Sequence, residues 1–112
     1  MINLIVDEKY LLVFDEVILK QLKKLSKDKT VKLILTKMFD RIEEIGESAG
    51  KLLDNRLSLY EMKAMRPPIR LYYEINKVLK KAYIFEFEMK TNQKKQSNTI
   101  SKLKNKIRNL KT

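Results

Sequence analysis

Two short segments, Leu59–Met65 and Ile69–Ile75, alternate apolar and polar residues and carry Lys63, Arg70 and Tyr72. A period of two puts every second side chain on one face of a strand. On that reading Lys63, Arg70 and Tyr72 share a polar face with Glu61 and Glu74. A third alternating run, Ala82–Met89, adds Glu86 and Glu88, and Lys90, Lys94, Lys95 and Lys102 follow it. An arginine and several lysines hold phosphates, the arginine through two parallel hydrogen bonds. An aromatic ring among them stacks on a base. If the phosphate is scissile, the same cations stabilise the extra negative charge of a phosphorane-like transition state. A Glu such as Glu86 or Glu88, a Lys, or a Tyr with a depressed pKa is then a candidate proton carrier. RNA supplies its own nucleophile, the 2′-hydroxyl, so this chemistry needs neither histidine nor metal. The candidate catalytic set is Arg70, Lys63, Tyr72 and Glu86, and the candidate RNA-binding set is Lys90, Lys94, Lys95 and Lys102. The plainer reading of the same residues is a set of cross-strand ion pairs, Arg70 and Lys63 with Glu61, Glu74 and Glu86.

Composition removes most competing chemistries. The chain has 112 residues, no Cys and no His. Thiol nucleophiles, disulfides, imidazole catalysis and ordinary zinc or haem sites are excluded. Two glycines, Gly46 and Gly50, cannot make a glycine-rich phosphate loop. Ser48, Ser58, Ser97 and Ser101 lack a histidine partner for a hydrolase triad. Glu43–Glu44 reads as a solvated helix face, and Glu86 and Glu88 lack the further ligands a metal site needs. No cofactor and no metal are expected. No apolar run approaches the ~20 residues of a membrane span, so no membrane partner is expected. Met1–Val6 has no basic residue ahead of its apolar ones and does not read as a signal peptide. The lack of Cys fits the cytoplasm.

The net charge is +11, and it is unevenly placed. Residues 1–65 hold 12 basic and 11 acidic side chains, whereas residues 66–112 hold 13 and 3. From Lys90 to Thr112 there are 8 basic residues and no acid. That asymmetry points to a polyanion or an acidic protein as partner.

The elements that must position these residues follow from periodicity. Ile2–Val6 and Tyr10–Phe14 are short and rich in β-branched and aromatic residues, which predicts strands. Ile18, Leu22 and Leu25 recur at helical spacing after Asp15, a natural N-cap. Val31, Ile34, Leu35, Met38, Ile42 and Ile45 form one helical stripe that ends at Gly46. These two helices make an αα-hairpin. Glu47–Arg56 reads as a connector. The three alternating runs, split at Arg66-Pro67-Pro68 and at Asn76-Lys77, predict an antiparallel meander. The hairpin is expected to cover the face with Tyr60, Met62, Leu71, Tyr73, Phe85 and Phe87, leaving the other face open. Thr91–Ser97 reads as a polar loop. Ile100, Leu103, Ile107 and Leu110 predict a last helix capped by Ser97 or Asn98. The expected fold is α+β: an N-terminal strand, a helical hairpin, a three-stranded antiparallel meander and a C-terminal helix, in one domain over residues 1–112.

This order of elements resembles the RelE/ParE superfamily of toxin–antitoxin toxins, with the closest likeness to HigB-like members. The matching stretches are Tyr10–Leu25, Leu59-Tyr-Glu-Met-Lys63, Ile69-Arg-Leu-Tyr-Tyr-Glu-Ile75 and Phe87-Glu-Met-Lys-Thr-Asn-Gln-Lys-Lys95. They are similar to the family's strand-to-helix opening, its L-[WYF]-E-[LIM]-R strand, its Y-R-[IL]-x-Y strand and its basic segment before the last helix. The resemblance implies a RelE-like single domain that acts on mRNA at the ribosome and is neutralised by a cognate acidic antitoxin. It places Lys63 where the family often has a strand arginine and Arg70 on the arginine of Y-R-x-x-Y. Tyr72 or Tyr73 falls on that motif's tyrosine, and Lys90, Lys94 and Lys95 on the basic cluster. The chain departs from the pattern in three places. No His or Tyr stands between Glu86 and Lys90, Lys63 replaces arginine, and Ile69 precedes Arg70 where the family has tyrosine. Two alternatives follow from those departures: a ParE-like inhibitor of DNA gyrase, and a catalytically inactive member that binds RNA or protein.

Overall fold

The computed structural model describes residues 9–89 and 92–110. The segment Ile2–Val6, read as a strand, lies outside them, as does Lys90. The chain runs β1 (Leu11–Phe14), α1 (Glu16–Lys24), α2 (Lys29–Ile45), a 3-10 turn (Gly46–Ala49), β2 (Lys51–Asp54), β3 (Leu59–Met65), β4 (Pro68–Asn76), β5 (Lys81–Met89) and α3 (Gln93–Leu110). The five strands form one sheet in the order β1-β5-β4-β3-β2. All neighbours are antiparallel except β1, which runs parallel to β5. The predicted meander is β3-β4-β5.

The helical hairpin forms as its stripe dictates. The Asp15 carboxylate accepts the Val17 N–H at 3.0 Å and caps α1, and Asp28 does the same for α2 through Val31 at 3.1 Å. Gly46 ends α2 at φ +52°, in the left-handed region. A β-carbon there would lie 2.3 Å from the Tyr10 ring, so both conformation and space demand glycine. Ile18, Val31, Leu35, Met38 and Ile42 are buried against Tyr60, Met62, Ile69, Leu71, Tyr73, Ile75, Ala82, Ile84 and Phe87 of the sheet. Phe14 meets Phe39 edge-on with centroids 5.2 Å apart, and Tyr60 stacks on Tyr73 at 5.5 Å.

Three sequence expectations need correction. First, Glu47–Arg56 is not a plain connector, because Lys51–Asp54 pairs with β3 as an edge strand. Four residues are too few for alternation to announce a strand. Second, Thr91–Ser97 is not a loop up to Ser97: α3 begins at Gln93, and Asn92 caps it by accepting the Lys95 N–H at 2.8 Å. That first turn is wholly polar and has no apolar stripe to reveal it. Third, the polar face of the sheet is not open. Leu103 and Ile107 of α3 pack on Leu57, Leu59, Tyr72 and Phe85, with Ile100 alongside.

The face assignment of β5 also changes partway. Tyr72 pairs with Glu86, but the next residue, Tyr73, pairs with Ile84, so Phe85 is an inserted residue. This bulge breaks the period of two. Ile84 and Phe87 face the hairpin, whereas Phe85 turns toward α3 with Tyr83 close by. Strict alternation had put Phe85 with Phe87 and Ile84 with the carboxylates.

Candidate functional site

Strand register places the chemistry-bearing side chains in two rows on the α3 side of the sheet. Lys63 pairs with Arg70, and Arg70 with Glu88. Glu61 pairs with Tyr72, and Tyr72 with Glu86. Directly opposed residues on neighbouring strands stand ~5 Å apart at Cβ, so the rows form one contiguous patch. The first half of α3 lies on it.

Glu61 anchors one end of the patch. Its Oε1 accepts the Arg70 Nη1 at 3.1 Å and lies 3.7 Å from the Lys63 ammonium. Its Oε2 accepts the side-chain amide of Gln96 at 2.9 Å. The plainer sequence reading therefore holds for Glu61: it pairs with both Arg70 and Lys63. Lys63 remains half-exposed and Arg70 partly so.

Glu88 anchors the other end. Its Oε2 accepts the Tyr72 hydroxyl at 3.0 Å, and its Oε1 accepts the Thr99 hydroxyl. Burial pushes the Glu88 carboxyl above the usual carboxylate range, and the Glu86 charge adds to the shift. The Tyr72 hydrogen bond, Lys95 and Lys102 oppose it only in part. A carboxyl whose proton affinity is raised is a candidate proton carrier. Glu86 pairs with Lys102 at 2.8 Å.

An open cleft of about 450 Å³ runs along the end of β5. Gln21 of α1, residues 86–89 of β5, and Lys95, Thr99 and Lys102 of α3 line it. Strand β1 stops opposite Ile84, and Gln21 continues its role along the edge. Its amide donates to the Phe87 carbonyl at 2.8 Å and accepts the Phe87 N–H at 3.0 Å. The cleft therefore offers cations, the Glu88 carboxyl and a fixed backbone edge side by side.

Of the expected residues, the fold brings together Lys63, Arg70 and Glu86, with Lys95 and Lys102 at the rim of the same patch. Lys94 is exposed in the first turn of α3. Tyr72 is corrected. Its side chain is 0% exposed beneath α3, so it cannot stack on a base. Burial first, and then the Glu88 charge and hydrogen bond, push its hydroxyl well above the ordinary tyrosine value, which removes it as a proton carrier. Its role is to hold Glu88. Gln21, Gln96 and Thr99 escaped sequence reasoning. Thr99 carried a faint signal, since it stands four residues before Leu103 and eight before Ile107 on the buried stripe.

Neither a family model nor a curated protein sequence matches the chain. Solved structures do. The intact Escherichia coli RelBE toxin–antitoxin complex matches with a TM-score of 0.62 and 26% identity, aligning 74% of this chain with 99% of that one. Free E. coli RelE carrying two arginine-to-alanine substitutions matches at 0.65 and 24%, over 84% of this chain and 97% of that one. A RelBE complex from Mycobacterium tuberculosis matches at 0.60 and 18%, over 75% and 94%. The fold is that of these RelE toxins, and these neighbours support a RelE-superfamily toxin.

Proposed function

We propose that the chain is the toxin of a type II toxin–antitoxin pair and a ribosome-dependent mRNA endonuclease acting in the cytoplasm. The observation that carries this reading is the row Lys63–Arg70–Glu88 across β3, β4 and β5, with Lys95 and Lys102 lining the cleft beside the buried Glu88 carboxyl. In the reaction the 2′-oxygen attacks the adjacent phosphorus and the P–O5′ bond breaks. A 2′,3′-cyclic phosphate and a 5′-hydroxyl result. Arg70 and Lys63 hold the phosphate and its added charge, while Lys94, Lys95 and Lys102 hold flanking phosphates. Lys90 extends that basic stretch in the sequence. Glu88 or Glu86 takes the 2′-hydroxyl proton, and a protonated carboxyl or lysine returns one to O5′. An acidic antitoxin fits the same cations, in keeping with the RelBE complexes among the structural neighbours.

One observation favours a second reading, RNA binding without cleavage: Glu61 neutralises part of the charge of Arg70 and Lys63. Translation extracts separate the readings. We expect message cut within codons only when ribosomes are present, with DNA supercoiling by gyrase unaffected. Arg70→Ala should lower cleavage by about 100-fold. Intact message together with inhibited gyrase would replace this reading with the gyrase inhibitor, and RNA binding with intact message would replace it with the inactive binder.

A further inference from the structure

Glu61 carries a charge where charge is hard to keep. Its side chain is 2% exposed, and a buried carboxylate persists only when partners surround it. One oxygen faces Arg70 and Lys63 from β4 and β3, and the other faces Gln96 from the first half of α3. Its backbone is fixed as well. Gly50 packs so closely that a β-carbon there would stand 2.6 Å from the Glu61 carbonyl oxygen. Lysine and arginine side chains are long and rotate freely unless something holds them. Glu61 is the immobile group that both of these cations share.

We propose that Glu61 is a positioning residue. It sets the Arg70 guanidinium and the Lys63 ammonium side by side for one phosphate, and it ties their placement to the seating of α3 through Gln96. The proposal rests on the reading of this patch as an RNA-cleaving site and adds a residue to it. Lys63 is half-exposed beside Arg70, so a phosphate still meets a cation there. The carboxylate nonetheless repels that phosphate, and this makes the role measurable. A group that only quenches charge weakens binding and turnover together. A group that positions weakens binding while raising turnover.

The test is Glu61→Gln, which keeps the shape and removes the charge, measured as kcat and KM for ribosome-programmed cleavage and as affinity for a single-stranded RNA. A side-chain Nε–H NMR signal of Arg70 reports its ordering. We expect RNA binding to tighten, kcat to fall about tenfold or more, and the Arg70 signal to broaden. Gln96→Ala, which leaves all charges in place, should lower kcat by a smaller factor without tightening RNA binding. It also serves if Glu61→Gln fails to fold. A rise in both binding and kcat, or an unchanged kcat with a sharp Arg70 signal, would overturn the proposal. If the wild-type chain does not cut message on ribosomes, the nuclease reading fails by itself, and the Arg70 signal and RNA affinity alone decide whether Glu61 orders the cations.

Discussion

The two faces of the sheet are built on different principles. Toward the hairpin, Tyr60, Met62, Ile69, Leu71, Tyr73, Ile75, Ala82, Ile84 and Phe87 form an apolar surface that α1 and α2 seal. Toward α3, only the half under Leu103 and Ile107 is apolar. The other half buries Glu61, Glu86 and Glu88, each answered by a side chain of α3: Gln96, Lys102 and Thr99. Hydrophobic burial is the dominant favourable term in folding, whereas a buried charge repays its desolvation only with well-placed partners. The hairpin face is therefore the source of stability. The α3 face gives up some of it to keep ionisable groups dry and fixed, as sites built for chemistry do.

Four changes would break or sharpen that contrast. Leu35→Ala, in the hairpin face, should cost about 2–5 kcal/mol in urea unfolding and leave the RNA affinity of the folded fraction unchanged. A loss confined to RNA binding would mean the hairpin face is not the structural one. Gln21→Ala should cost about 1–3 kcal/mol, because the Phe87 peptide loses both partners. Amide exchange at Phe87 should accelerate while amides beside Ile42 stay protected.

The third change is a pair with opposite pH signatures. Burial favours a protonated Asp15, but Lys106, the Val17 N–H and Tyr83 outweigh it and lower the Asp15 pKa below 3.8. Its contribution is present above 3.8 and lost as pH falls through the folded value. Asp15→Ala should cost about 1 kcal/mol at pH 7, with the gap to wild type closing only in strong acid. The Glu88 pKa is raised from 4.5, so the fold favours its protonated form, and that advantage is lost as pH rises through the raised value. Thermal melts of Glu88→Gln should accordingly gain on wild type as pH rises from 4.5 through the raised value. A gain toward acid would mean that Glu88 sits ionised and paired. Last, Lys94→Ala should change stability by less than about 0.5 kcal/mol. It should also reduce the slope of log affinity for single-stranded RNA against log salt by about 0.7. An unchanged slope would remove Lys94 from the RNA path.

What could be read from the sequence follows the same division. The hairpin, its caps at Asp15 and Gly46, and β3 from Leu59 to Met65 were legible because a one-sided apolar surface writes its period into the chain. Lys63 beside Arg70 was legible for that reason too. Tyr72 was misread because nothing local says that α3 folds back over it. A polar face met by a helix and a polar face met by water share the same alternation. Gln96 and Gln21 act through amide contacts with residues 35 and 66 positions away, and such pairs leave no periodic trace.

The bulge at Phe85 has a consequence for how this protein can change over time. A single inserted residue acts as a parity bit for β5, deciding which face receives each residue on one side of it. Straightening the bulge with Phe85 still in the chain, while the strand's start keeps its pairing, would send Glu86 and Glu88 toward the dry hairpin side and Phe87 toward α3, whereas deleting Phe85 itself would leave a regular strand with both carboxylates in place. One residue more or less elsewhere in β5, with no bulge to absorb it, would turn every side chain beyond it to the other face, so this strand tolerates a change of length at Phe85 and resists it along the rest of its course.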